Sequence, residues 1–188
     1  MRRIVVTEFI SLDGVVEDPG GAESYKHGGW RFKYDDPAAM KYKLDETFAH
    51  DAMLLGRVTY EGFAEAWPGR TDDLGFADRF NSMKKYVVSS TLTDPGWTNS
   101  EVLGPDLKAE VERIKSEPGG DIIVHGSVRL VQGLLALGLV DELRLMTFPI
   151  VLGSGKRLFG EAEDPIMLRL AGAEPLDDGT LILTYQRA

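Results

Sequence analysis

Residues 51–63 read DAMLLGRVTYEGF. The short apolar run from Ala52 to Leu55 breaks at Gly56, and Arg57, Thr59 and Glu61 follow at once. An apolar run of this length, stopped by glycine and continued by a helical pattern, predicts a strand that hands over directly to a helix. The first turn of such a helix has unpaired N–H groups and a partial positive charge, so it attracts anions. Arg57 adds a planar donor that suits phosphate, and Thr59 adds a hydroxyl. A plainer reading stands beside this one: Gly56 makes the turn, Arg57 is solvated and Thr59 caps the helix.

The arrangement recurs at residues 122–131, IIVHGSVRLV. Gly126 permits close approach to the backbone, and Ser127 is placed to cap the helix that opens at Val128. Either junction alone is routine. Two in one sheet suit a ligand with two phosphates, because ligands of open α/β sheets lie across the carboxyl ends of strands. A third apolar run, YVVSST at 86–91, ends in the hydroxyls of Ser89 and Ser90.

Around these junctions the chain reads as alternating elements. Arg3–Ile10 is a buried first strand, followed by a polar, glycine-dotted stretch reaching Trp30. A loop that long covers or binds something in most compact domains. A helix is expected from Asp36, the cap, with Pro37 in its first turn and Met40, Leu44 and Phe48 recurring at spacing four. RVTYEGFAEAW, GFADRFNSM, DLKAEVERIKSEPGG (ended by Pro118 and two glycines) and SVRLVQGLLALG read as further helices, and KKYVVSS, EVL and DIIVHG as strands. After residue 139 the pattern changes. VDELRLMTFPIVLG, IMLRLAGAEPL and TLILTYQRA read as strands without intervening helices, alternating as antiparallel strands with one wet face do. The expectation is one α/β domain over residues 1–188, a mixed, mostly parallel sheet flanked by helices, with antiparallel C-terminal strands.

Composition narrows the function. The 188 residues carry a net charge of −9, so nucleic acid and anionic membrane surfaces are poor partners. An anionic ligand must be held by local groups. There is no cysteine, which excludes disulfides, thiolate nucleophiles and cysteine-bound metals. The apolar run after Arg2 and Arg3 is too short for a secretory signal, and no stretch approaches the roughly 20 apolar residues of a membrane span, so a cytoplasmic location is expected. No G-x-G-x-x-G, Walker loop or G-x-S-x-G elbow is present. His27, His50 and His125 lack metal-ligand spacing, so no metal is expected.

Taken together, LLGRVTYEGF, YVVSSTL and the block IIVHGSVRLVQGLLALGLVDELRLMTFPIVLGSGKRLF resemble the dihydrofolate-reductase-like superfamily. The similarity is greatest to stand-alone bacterial proteins like the C-terminal reductase domain of riboflavin-biosynthesis enzymes. It covers nearly the whole chain. The resemblance implies an NADPH-dependent reductase that passes hydride to a small heterocyclic (pteridine- or pyrimidine-like) or carbonyl-type substrate. It implies that Gly56, Arg57 and Thr59 meet phosphates, with Arg57 near the 2′-phosphate. Ser89 and Ser90 would lie along the adenosine end, and Gly126, Ser127 and Val128 would receive the pyrophosphate. The nicotinamide is expected near Val6, Thr7 and Phe9, under the loop from Ser11 to Trp30 as a lid. Asp13, Asp35 or water would supply the proton. Proteins of this kind are often dimers through their late strands, so a homodimer is expected. His125 and Ser127 depart from the glycine-rich turn of dihydrofolate reductases, which leaves a catalytically silent nucleotide-binding module as the alternative.

Overall fold

The computed structural model describes residues 1–161 and 164–188. Its strands are β1 (Ile4–Ser11), β2 (Ala52–Gly56), β3 (Lys84–Val88), β4 (Ser100–Val102), β5 (Ile122–Val124), β6 (Glu142–Phe148), β7 (Leu168–Pro175) and β8 (Leu181–Arg187). Its α-helices are α1 (Pro37–Ala49), α2 (Arg57–Ala66), α3 (Phe76–Ser82), α4 (Leu107–Ser116) and α5 (Val128–Ala136). All strands form one sheet in the order β4-β3-β2-β5-β1-β6-β8-β7. From β4 to β6 every pairing is parallel; β8 pairs antiparallel with both β6 and β7.

The pattern of burial follows from that order. β2 and β5 lie inside the parallel half with helices on both faces, and every residue of each is buried. This is why they read as unbroken apolar runs. One core layer joins Ile4, Val6, Leu54 and Val124 to Val111 and Ile114 of α4 and Leu130, Val131 and Leu134 of α5. The opposite face packs Met53, Leu55 and Ile123 against Tyr60 of α2 and Phe80 of α3. Farther along, Met146, Phe148 and Ile182 pack with Trp30 and the partly buried Ala39 and Tyr42 of α1. β6 belongs to both halves: it is parallel to β1 and antiparallel to β8.

Helix α1 starts as its sequence predicts. The Asp36 carboxylate accepts from Ala38 N at 2.8 Å, and Pro37 occupies the first turn. The face it buries differs from the apolar stripe. Met40 and Phe48 are 44% and 51% exposed, while Glu46 and Thr47 are buried. The cause is ionic. Lys43 pairs with Glu46, and both meet Thr7 of β1: Thr7 Oγ1 donates to Glu46 at 2.9 Å, and Lys43 Nζ donates to Thr7 at 2.9 Å. Arg144 of β6 completes the cluster, 3.4 Å from Glu46 and 2.6 Å from Glu142.

The long segment after β1 is stitched down at several points. Val16 N donates to Lys156 O (2.9 Å), Trp30 Nε1 donates to Glu17 O (2.8 Å), and Lys156 pairs with Glu17 at 3.0 Å. Segment 12–30 therefore packs against residues 150–158 along much of its length, and does not hang free as an open lid would.

Candidate active site

The two glycine junctions lie side by side. Gly56 N donates to Gly126 O at 3.1 Å, joining the end of β2 to the turn after β5. A side chain on Gly56 would overlap Ser127 Oγ and bring its Cβ within 3.0 Å of Ser127 N. Only glycine lets the two turns touch. Gly126 has φ +105°, a conformation that other residues rarely adopt, and the peptide from Gly126 to Ser127 is cis. A Cβ on Gly126 would sit 3.2 Å from Thr59 Oγ1 and 3.7 Å from Glu8 Oε1. The glycine thus keeps open a narrow space bounded by α2, β1 and the start of α5.

Both helices begin without a side-chain cap. Neither Gly56 nor Ser127 gives a capping hydrogen bond, so Ser127, although well placed in sequence, leaves the first amides of α5 free. Two uncapped helix starts meeting at a backbone contact combine their N–H groups and positive dipole ends in one place. Val128 is the first residue of α5 and Thr59 stands in the first turn of α2, so both border this place. Arg57 lies at the rim, 45% exposed and paired with Glu61 at 2.8 Å across one helical turn. An exposed pair of this type is weak and yields readily to a phosphate.

The other expected residues divide. Ser89 Oγ accepts from Thr91 N (3.1 Å) and Leu92 N (2.9 Å), closing the turn after β3, and Ser90 is exposed beside it. Thr7 turns its side chain toward Glu46 and Lys43, on the α1 side of the sheet. Its hydroxyl is fully engaged there and does not join the junction cluster. Asp13 accepts from Ser11 Oγ (2.8 Å), Leu152 N (3.0 Å) and Gly153 N (2.9 Å). Burial alone would raise its pKa, but these donors outweigh it and bring the group down to about 2. Asp13 is therefore an ionised tie between the β1 loop and residues 152–153, with no proton to give at neutral pH. Asp35 is exposed next to the helix cap, and among the described residues no side-chain hydrogen bond or ion pair engages it.

Two residues not anticipated as site residues from the sequence adjoin the junction. Glu8 Oε1 is sealed from water and has no hydrogen-bond partner among the described residues. Burial pushes this carboxyl up to about 8, against the opposing pull of Lys43. His125 Nε2 is likewise sealed and unpartnered, and burial holds its imidazole down at about 3. The His125 ring lies 5.8 Å from both Phe63 and Phe80. Both groups are therefore uncharged at neutral pH. The available signal was a lone acid within the mostly apolar β1 and a histidine abutting Gly126 (TEFIS and VHGS).

A separate cavity lies on another part of the molecule. About 1220 Å³ opens between α5 and the C-terminal strands, lined by Leu135, Phe159, Met167 and Tyr185 among others. None of the buried unpartnered polar atoms found among the described residues lines it, whereas one of them, Glu8 Oε1, borders the junction, so the chemistry favours the junction. No group of three or more His, Asp or Glu side chains among the described residues is arranged to hold a metal ion. No helix among them is long and apolar enough to cross a membrane.

Comparison with known proteins agrees with this architecture. Residues 2–182 match the family model of the RibD C-terminal domain. Bacillus subtilis (strain 168) YyaP, described as an uncharacterized protein, is 28% identical over 187 residues, covering 98% of this chain and 94% of its own. A crystal structure of a putative riboflavin biosynthesis protein from Shewanella sp. PV-4 superposes with TM-score 0.77 at 22% identity, covering 99% of each chain. Dihydrofolate reductase from Enterococcus faecalis, complexed with NADP(H) and RAB-propyl, has TM-score 0.64 at 15% identity, covering 98% of this chain and 96% of its own. The fold is thus dihydrofolate-reductase-like, and the chain belongs to the RibD C-terminal domain family.

Proposed function

We propose that the protein is an NADPH-dependent reductase acting on a small heterocyclic (pteridine- or pyrimidine-like) or carbonyl-type substrate. The observation that carries this reading is the contact between the two uncapped helix starts, with glycine on both sides of it. An extended molecule with two linked phosphates is what such a paired anion seat accommodates. The residues present fit that group: Gly56 and Gly126 leave the cradle open, Thr59 offers a hydroxyl, and Arg57 stands at the rim for a further phosphate. The buried, unpartnered Oε1 of Glu8, beside Gly126, is an unsatisfied polar group that a bound ligand would complete. Membership of the RibD C-terminal domain family and the likeness to reductase folds support the same assignment.

Bound NADPH supplies the hydride. The chain's own work is to bind, orient and exclude water. The α2 and α5 amides fix the phosphates, while Arg57 separates a 2′-phosphorylated cofactor from its unphosphorylated counterpart. Fluorescence titration with NADPH, followed by NADPH oxidation across pteridine, flavin-precursor and quinone panels, tests the proposal. Saturable one-to-one binding with turnover on one panel is expected. Binding without turnover would favour a silent nucleotide-binding module, and absence of binding would end the reductase reading.

A further inference from the structure

The carboxyl of Glu8 is the group at the junction that the binding argument leaves without a task. Its Oε1 lies 3.7 Å from where a Cβ on Gly126 would stand, and Thr59 Oγ1 lies 3.2 Å from the same point. Two residues earlier in the strand, Val6 still pairs with Val124; beyond that pair β1 and β5 part, and Glu8 stands at the opening. An unpaired carboxyl at such a place costs stability, since a buried oxygen without a partner forfeits a hydrogen bond. Glutamine or an aliphatic residue would pack there without a titratable group. The arrangement makes sense where the acid meets a ligand.

We propose that Glu8 is the proton donor of this site. This rests on the reductase reading above. Reduction of a C=N or C=O bond by NADPH needs one hydride on carbon and one proton on nitrogen or oxygen. Glu8 gives its carboxyl proton to that nitrogen or oxygen, and the new N–H or O–H bond forms as the carboxyl O–H bond breaks. The carboxylate left behind would be favoured by the positive charge that a bound oxidised cofactor would carry, and a proton from solvent would restore the acid. The substrate class is accordingly an unsaturated nitrogen heterocycle or a carbonyl compound with a basic acceptor atom beside the reducible carbon.

The surroundings leave Glu8 free to act this way. From α1, Lys43 is the charge that bears on it, and Lys43 is itself neutralised by Glu46. From β6, the residue paired with Glu8 is the apolar Leu145, and Arg144 is committed to Glu46 and Glu142. His125 beyond the end of β5 is uncharged at neutral pH. Thr59 of α2 carries no charge, Arg57 is paired with Glu61, and α5 opens with Val128.

The assignment predicts a linkage between cofactor charge and Glu8 that binding alone can measure. NADP⁺ and NADPH differ in the charge of the nicotinamide ring, while their 2′-phosphates ionise alike near pH 6. Dissociation constants for both should be measured from pH 6 to 9 in wild type and Glu8→Gln. In wild type, NADP⁺ should bind more tightly as pH rises toward about 8, by up to tenfold per pH unit, relative to NADPH. In Glu8→Gln the two cofactors should run parallel. Carbon-13 NMR of the glutamate carboxyls in wild type should show one group titrating near 8, displaced downward by NADP⁺ and not by NADPH. This second readout does not depend on the variant's folding. Binding of both cofactors with parallel pH profiles in wild type would overturn the role of Glu8 and leave the reductase reading standing. No binding of either would overturn both.

Discussion

At the residue scale, function and stability turn on which side chains have partners and which have none. Arg57 has only an exposed partner in Glu61, so a phosphate can claim it. Arg57→Ala should weaken NADPH by about 1–3 kcal/mol while barely changing NADH, measured by parallel titrations; equal losses would remove Arg57 from 2′-phosphate recognition. Lys85 is the opposite case, fully buried and held by the carbonyls of Asn81 (2.7 Å) and Thr98 (3.0 Å), with Trp97 4.1 Å away. Burial lowers its pKa to about 8, below the roughly 10.4 of an unfolded chain. Below pH 8 the lysine is charged in both states and the full penalty applies. Stability should therefore rise as pH goes from about 8 to about 10.4, and Lys85→Met should abolish that rise in urea unfolding at each pH. The sequence disclosed Arg57, Thr59 and both glycines because their types at a strand-to-helix junction carry meaning on their own. It did not disclose Glu8, because an acid inside an apolar strand gains significance only once its neighbours fail to pair with it.

At the scale of elements, α1 shows how ionic burial overrides an apolar stripe. Periodicity and the Asp36–Pro37 start located the helix, but its inward face is set by Glu46, which meets Lys43, Thr7 and Arg144. Burial pushes the pKa of Glu46 upward, yet Lys43 and Arg144 outweigh it and bring the group to about 2. A carboxyl lowered on folding contributes stability above its unfolded value of about 4.3, and that contribution disappears as pH falls toward 2. Glu46→Ala, which leaves Lys43 and Arg144 uncompensated, should cost on the order of 3–5 kcal/mol in chemical denaturation at pH 7. It should also flatten the loss of stability between about pH 4 and 2; an unchanged acid limb would show that the cluster is not what α1 packs against. The nature of each strand and helix was legible because β2 and β5 are buried on both faces and the helices repeat at their own period. The facing of α1 was not, since charge pairing leaves no hydropathy signal.

At the scale of the whole molecule, the sheet order places the two glycine junctions together, because β2 and β5 are neighbours although some seventy residues separate them. Local sequence could suggest two anion-binding turns but not their adjacency, which depends on the crossovers. The same order leaves β7 as an edge whose residues after Leu168 are all exposed, Leu170 among them at 51%. An edge strand that exposes Leu170 and the Ala171–Ala173 stretch offers a surface for pairing, and we propose that a second copy covers it. Sedimentation equilibrium should give twice 20.7 kDa, and Leu170→Lys should return the mass to that of one chain; a monomeric wild type would refute the arrangement. The proposed function turns above all on the shared phosphate seat. The most direct measurement is a crystal structure with NADPH bound. It should show the pyrophosphate within hydrogen-bonding distance of the first amides of both α2 and α5, over Gly56 and Gly126. A cofactor bound elsewhere, or touching only one of the two helices, would contradict it.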